Sequence, residues 1–248
     1  QISFPYLAKI HNFSYILIDE NIRHNQWFII KKTLEKMKDP IFIVGAPRSG
    51  KTIITGILNI AGAFVGTVDK QYENKQMFDL VVCPVLRANN IPIDGQTIFP
   101  DPSKLNIPAD FAKKMQDIFT QQGYKDGIVT IKGHQLTLLW PILHYAFPKA
   151  KYIIVRRRTG DIVESCMKTK YMKGHSSEDG WIGMCRNYET LFVQMIEAGL
   201  DCKVIWPNRM AYGDYEQIHE LLHWCGLPWK TSILAWTDPK FEKARKSI

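Results

Sequence analysis

The stretch IFIVGAPRSGKTIITGIL, residues 41–58, decides the fold: an apolar run suited to a buried strand enters a glycine-bounded turn of basic and hydroxyl residues, then a helix-like segment. Gly45 and Gly50 let the backbone turn tightly with successive N–H groups pointing inward, while the helix that follows aims its positive end at the same spot. Arg48, Ser49, Lys51 and Thr52 add charge and hydroxyl donors, and GAPRSGKT satisfies the GxxxxGK[ST] pattern of ATP- and GTP-binding loops. The turn is therefore expected to hold phosphate. The plain alternative is an ordinary strand-to-helix turn that is merely basic. A magnesium-nucleotide enzyme also wants an aspartate ending a second apolar strand. YILIDE at 15–20 precedes the loop, and the downstream runs end in VRRR and VIWPN.

Outward from this stretch, short apolar runs at 41–45, 127–131, 151–155 and 202–206 alternate with helix-like segments near 51–61, 136–146, 160–171, 181–198 and 214–225. That order predicts an α/β fold in three layers, a central, mostly parallel sheet flanked by helices. Pro84, Pro92, Pro100, Pro102 and Pro108 mark residues 84–108 as an irregular excursion over the surface. Residues 1–39 are expected to add a strand and a basic helix. The chain, 248 residues and 46% hydrophobic, suits a single domain, 1–248.

No apolar run reaches the length of a membrane span, and the opening QISFPYLAKIHNF lacks the order of a signal peptide. Because the chain begins with Gln1, an upstream anchor or signal stays open. Cys83, Cys166, Cys185, Cys202 and Cys225 are scattered, odd in number and without a CxxC pair, which fits reduced thiols and a cytoplasmic location. The net charge of +8 implies attraction to anions, with nucleotides, sulfated or acidic acceptors and nucleic acid all eligible.

The loop resembles the 5′-phosphosulfate loop of sulfotransferases, which commonly reads PRSGT or PKSGT, with Lys51 in place of the first threonine. Two further blocks follow in that family's order. VTIKGHQLTLLWPILHYAFPKAKYIIVRR, residues 129–157, resembles its strand ending in Lys-x-His, a helix and a Pro-x-Ala-Lys strand. By that match His134 is the base that takes the acceptor's proton, a task suited to an imidazole at a strand mouth. Lys132, two residues earlier on the same side of the strand, would steady the sulfuryl oxygens. Residues 151–170 carry Arg157, Asp161 and Ser165 at the family's Arg-x3-Asp-x3-Ser spacing, in which the arginine and serine hold a 3′-phosphate; Asp161 is expected to cap the helix. MAYGDYEQIHELLHWCGLPW is similar to a later stretch of the family. Two features depart from it: Ile53 stands where many members place a tryptophan against adenine, and only KARKS at 243–247 is available for a basic C-terminal loop.

The resemblance covers about 41–229. It implies a P-loop NTPase-like sulfotransferase architecture and transfer of a sulfuryl group from 3′-phosphoadenosine 5′-phosphosulfate (PAPS) to a hydroxyl or amine, with no metal required. Arg48, Ser49, Gly50, Lys51, Thr52, Arg157 and Ser165 would bind the donor; His134, Arg48, Lys51 and Lys132 would carry the chemistry. The expected partner is a small-molecule or glycan acceptor, with no nucleic acid and no membrane. Tyr72, Lys75 and Phe78 are candidates to border its pocket. The alternatives are a Mg-ATP-dependent small-molecule kinase acting through Lys51 and Thr52, and a noncatalytic nucleotide- or polyanion-binding protein. HELLH at 219–223 also matches the HExxH zinc signature, but Ile218, Leu221, Leu222 and Cys225 form one apolar stripe there, so His219 and His223 are expected to be ordinary helix residues.

Overall fold

The computed structural model describes residues 37–238, all within the unit Met37–Ile248; the other unit of the chain, Gln1–Lys36, lies outside the described residues. The expected N-terminal strand and basic helix, apart from residues 37–39, and the KARKS segment also fall outside them.

Four parallel strands form the sheet: β1 (Ile41–Val44), β2 (Thr130–Lys132), β3 (Lys151–Val155) and β4 (Asp201–Ile205), in the order β2-β1-β3-β4. Registers pair Phe42 with Ile131 and Tyr152, and Ile154 with Val204. The central strands β1 and β3, buried on both faces, need apolar side chains at nearly every position and show little alternation, whereas the edge strand β4 is more exposed. Successive residues point to opposite faces. Phe42, Val44, Tyr152 and Ile154 enter one core, whereas Ile41, Ile43, Ile153 and Val155 enter the other.

The smaller core is roofed by α1 (Lys51–Ala61), through Ile54, Ile57 and Leu58. The short helix α2 (Lys75–Met77) runs through a π-helical turn, Phe78–Val82, into α3 (Cys83–Ala88). The excursion expected over 84–108 is therefore helical at its start. Pro84 lies in the first turn of α3, where its missing N–H and fixed φ are tolerated, and the π turn just before it absorbs the change of hydrogen-bond register. Further along come α4 (Phe111–Gln121), α5 (His134–Leu138), α6 (Trp140–Ala146), α7 (Thr159–Met167) and α8 (Glu178–Glu197). The segment read as one helix near 136–146 is thus two, divided at Leu139 ahead of Pro141. Residues of α3 to α8 fill the larger core. Finally α9 (Glu216–Cys225) and α10 (Ser232–Thr237) join α1 over the smaller core, with Ile218, Leu221, Leu222 and Ile233 turned inward.

The strand order reverses direction at β1, from β2 on one side to β3 on the other. In parallel α/β sheets ligands bind at the carboxyl ends of strands beside such a switch point. The loop Gly45–Gly50 leaves β1 at that place.

Candidate functional site

The loop conformation follows from its glycines. Gly45 has φ of +148°, and a Cβ there would lie 2.5 Å from the carbonyl oxygen of Val155 and 2.8 Å from Ser49 Oγ. Only a bare backbone can pass between β3 and the turn. Gly50, at φ +100°, is the N-cap of α1, and Arg48 between them also takes a left-handed conformation, φ 63°. The loop is fastened to α5 because the Gly45 N–H donates to Thr137 Oγ1 at 3.1 Å.

Lys51 is buried, 7% exposed, and folds back over the loop. Its ammonium donates to the carbonyls of Gly45 at 3.1 Å and Ala46 at 2.6 Å, and to Ser49 Oγ at 3.3 Å. Burial, then the charge of Lys132 and lastly that of Arg48 push its pKa down to about 7, against the opposing pull of Glu73. Thr52 Oγ1 donates to the carbonyl of Gln71 at 3.2 Å.

Arg48 is the hub of the second half. Its Nε donates to Ser165 Oγ at 2.9 Å and its Nη1 to Tyr171 OH at 2.7 Å, while its own carbonyl accepts from Arg157 Nη1 at 3.1 Å. Arg48 therefore meets two residues, Arg157 and Ser165, each more than a hundred positions away from it. Asp161 sits in the first turn of α7, but its carboxylate pairs with Arg158 at 3.2 Å and Arg157 at 3.8 Å and no side chain caps that helix. The expected cap is thus corrected: two strand-exit arginines outcompete the backbone amides for one carboxylate.

On the other side of the loop, β2 ends at Lys132 and α5 begins at His134. Lys132 is ion-paired with Glu73. His134 Nε2 lies 2.8 Å from the carbonyl oxygen of Asp94. Burial first, then Lys51 and, more weakly, Lys132 push the His134 pKa down to about 3, opposed by that hydrogen bond. By accessible surface the residue as a whole is half-buried. Between Glu73, Phe78, Val82, Ile131 and Leu136 runs a narrow cleft of about 10 Å³, floored by Lys132.

Of the side chains suggested for the acceptor pocket, Phe78 lines this cleft, Lys75 is exposed, and Tyr72 faces Trp236, ring centroids 5.6 Å apart. The Trp236 indole N–H donates to the Ile53 carbonyl at 3.0 Å, so an aromatic from α10 lies against the α1 backbone at residue 53. Glu73, Thr137, Tyr171 and the Asp94 carbonyl were not singled out in the sequence. Thr137 follows His134 by one helical turn, a spacing that could have flagged it; the others carry no local signal. In the HELLH segment, His219 stacks on Trp229 with centroids 3.8 Å apart and Glu220 pairs with Lys203 at 3.1 Å. Among the described residues no group of three or more His, Cys, Asp or Glu is placed to hold a metal ion.

Together, the fold and this loop define a parallel α/β protein with a glycine-bounded, basic loop at its sheet switch point. No family model matches the chain, nor does any curated protein. Among solved structures, sulfotransferase STF9 from Mycobacterium avium superposes with a TM-score of 0.54 at 13% identity, over 89% of this chain and 72% of that one. Sulfotransferase STF1 from Mycobacterium tuberculosis H37Rv gives 0.45 at 12% identity, over 88% and 76%. At such identity the likeness to STF9 is one of fold: the chain has the architecture of that sulfotransferase. Among the described residues no helix is long and apolar enough to cross a membrane.

Proposed function

We propose that the protein is a sulfotransferase that takes a sulfuryl group from PAPS and delivers it to a hydroxyl or amine of a small-molecule or glycan acceptor. The observation that carries this reading is the joining of Arg48 to both Ser165 and Arg157 at one end of the loop, with Lys51, Lys132 and His134 at the other. A donor phosphorylated at two ends needs two such grips. The residues present suit it in charge as well. Burial depresses Lys51 most and repulsion from Lys132 and Arg48 adds to it; an anion among them relieves the repulsive part.

In this reading the loop amides with Arg48, Ser49, Gly50, Lys51 and Thr52 hold the 5′-phosphosulfate, and Arg157 with Ser165 holds the 3′-phosphate. When bound, the donor supplies an activated sulfuryl group. His134, kept neutral by its surroundings, accepts the proton of the acceptor hydroxyl, a contribution on the order of 10² to 10⁴ in rate. Lys132, released from Glu73, and Arg48 or Lys51 stabilise negative charge on the reacting oxygens.

The test is thermal unfolding with 3′-phosphoadenosine 5′-phosphate and no metal, beside Mg-ATP and a heparin-like polyanion. Ligand at about 100 times its Kd adds about 2.7 kcal/mol. The reading expects the bisphosphate to stabilise most; a larger shift with Mg-ATP favours a kinase, and one with polyanion alone a binding protein. His134→Ala should abolish transfer of labelled sulfate to a panel of phenols and sugar alcohols while leaving bisphosphate affinity nearly intact. An active His134→Ala removes the proposed base.

A further inference from the structure

Three successive backbone carbonyls of one strap are each gripped by a side chain from the core. Gln135 Nε2 donates to the Ile93 carbonyl at 2.9 Å, His134 Nε2 meets that of Asp94 at 2.8 Å, and Tyr188 OH donates to that of Gly95 at 2.8 Å. The strap is tied from above as well. The Asp94 carboxylate accepts from the Gln96 N–H at 2.8 Å, Gln96 Oε1 accepts from the Gly174 N–H at 2.7 Å, and the Gln96 carbonyl meets His175 Nε2 at 3.0 Å. Gly95 makes the tight path possible: at φ +61°, a Cβ would lie 3.0 Å from His134 Cδ2 and 3.2 Å from Tyr188 OH. Such multiple anchoring fixes the direction of the Asp94 carbonyl.

A carbonyl oxygen can only accept, so the His134 nitrogen facing it carries the hydrogen. In a neutral ring the other nitrogen then has the lone pair. We propose that the Ile93–Gly95 strap, held by Tyr188, is the positioning element of His134, making it the Nε2–H tautomer and leaving Nδ1 as the atom that receives the acceptor's proton. This rests on the sulfotransferase reading only for the identity of that proton. As the acceptor O–H bond breaks, its electron pair stays on the attacking oxygen and the proton joins Nδ1. The resulting imidazolium is steadied because its Nε2–H bond to Asp94 becomes charge-assisted.

The charged groups facing the ring are Lys51 from α1 and Lys132 from β2, which both disfavour the imidazolium; Glu73 lies beyond, paired with Lys132. The Asp94 carboxylate is engaged by the backbone N–H of Gln96, the residue that follows the strap. From α8 the Tyr188 phenol reaches the same strap, and burial pushes its pKa well above the usual value, so it stays neutral.

The experiment is ¹⁵N NMR of the ¹⁵N-histidine-labelled full chain, with the His134 signals assigned by their loss in His134→Gln. The wild type should show a protonated Nε2 and a bare Nδ1 at neutral pH. In Tyr188→Phe the second tautomer should gain population while affinity for 3′-phosphoadenosine 5′-phosphate stays within about twofold, since the strap holds no residue of the loop. A wild-type ring protonated at Nδ1 overturns the inference even if Tyr188→Phe fails to fold, and so does a Tyr188→Phe spectrum unchanged from wild type. Failure of the sulfotransferase reading shows elsewhere, as absent bisphosphate binding, and leaves this tautomer measurement intact.

Discussion

Lys51 shows how one residue couples the loop to its ligand. With its ammonium inside the turn and a pKa lowered from 10.5 to about 7, it is largely neutral in the free protein at pH 8. A bound dianion restores the charge. Titration calorimetry with 3′-phosphoadenosine 5′-phosphate, in buffers of contrasting ionisation enthalpy, should therefore record uptake of about one proton at pH 8 and little at pH 6. Affinity falls as pH rises above 7, and Lys51→Met removes the uptake; uptake unchanged in that variant assigns the proton to another group. At this scale the motif letters 45–52 were readable because a phosphate turn demands glycine and cations at fixed offsets. Glu73 and Tyr171 were not, since what makes them relevant is contact with Lys132 and Arg48, set by chain segments far away.

Among elements, the seam between α1 and α10 is tightest at Gly56. A Cβ there would lie 2.2 Å from the Trp236 indole ring, so Gly56→Ala forces the ring off the helix. Two effects compete: alanine favours the helix by about 1 kcal/mol over glycine, whereas overpacking costs about 1–3 kcal/mol. The clash is with a rigid ring, so the net should be destabilising, by up to about 2 kcal/mol in urea unfolding. In a Trp236→Ala background the same change should turn neutral or stabilising; additivity of the two changes would contradict the seam. The four strands were legible from apolar runs, although β2 lies at Thr130–Lys132, toward the end of the run read at 127–131. Val129 instead bridges Phe64. The α4 signal is also present in the sequence, with Phe111, Met115, Ile118 and Phe119 at helical spacing just beyond the proline-rich stretch. The pairing of Gly56 with Trp236 has no sequence signal, because no local pattern couples two positions so far apart.

For the whole molecule, His134 and Lys51 act on stability in the same sense. Both are held neutral by folding, so the unfolded chain binds more protons, between pH 3 and 6.5 for His134 and between 7 and 10.5 for Lys51. Their stabilisation is fully present above those windows and is lost as pH falls through them. The unfolding free energy from urea titrations should drop as pH falls from 6.5 toward 4, with a slope of up to about 1.4 kcal/mol per pH unit from one proton. His134→Gln should flatten that limb; an unchanged slope would show that other groups govern it.

By itself the sequence determined the strand-loop-helix at 41–58 and the order of strands and helices that follows, because backbone turns and buried faces impose local residue choices. Tertiary structure decided which side chains meet: Arg48 with Ser165 and Arg157, Lys132 with Glu73, and His134 with a carbonyl of the strap. Those contacts depend on how the strands order themselves in the sheet and where the irregular segments come to rest. Such long-range packing leaves no periodic trace along the chain.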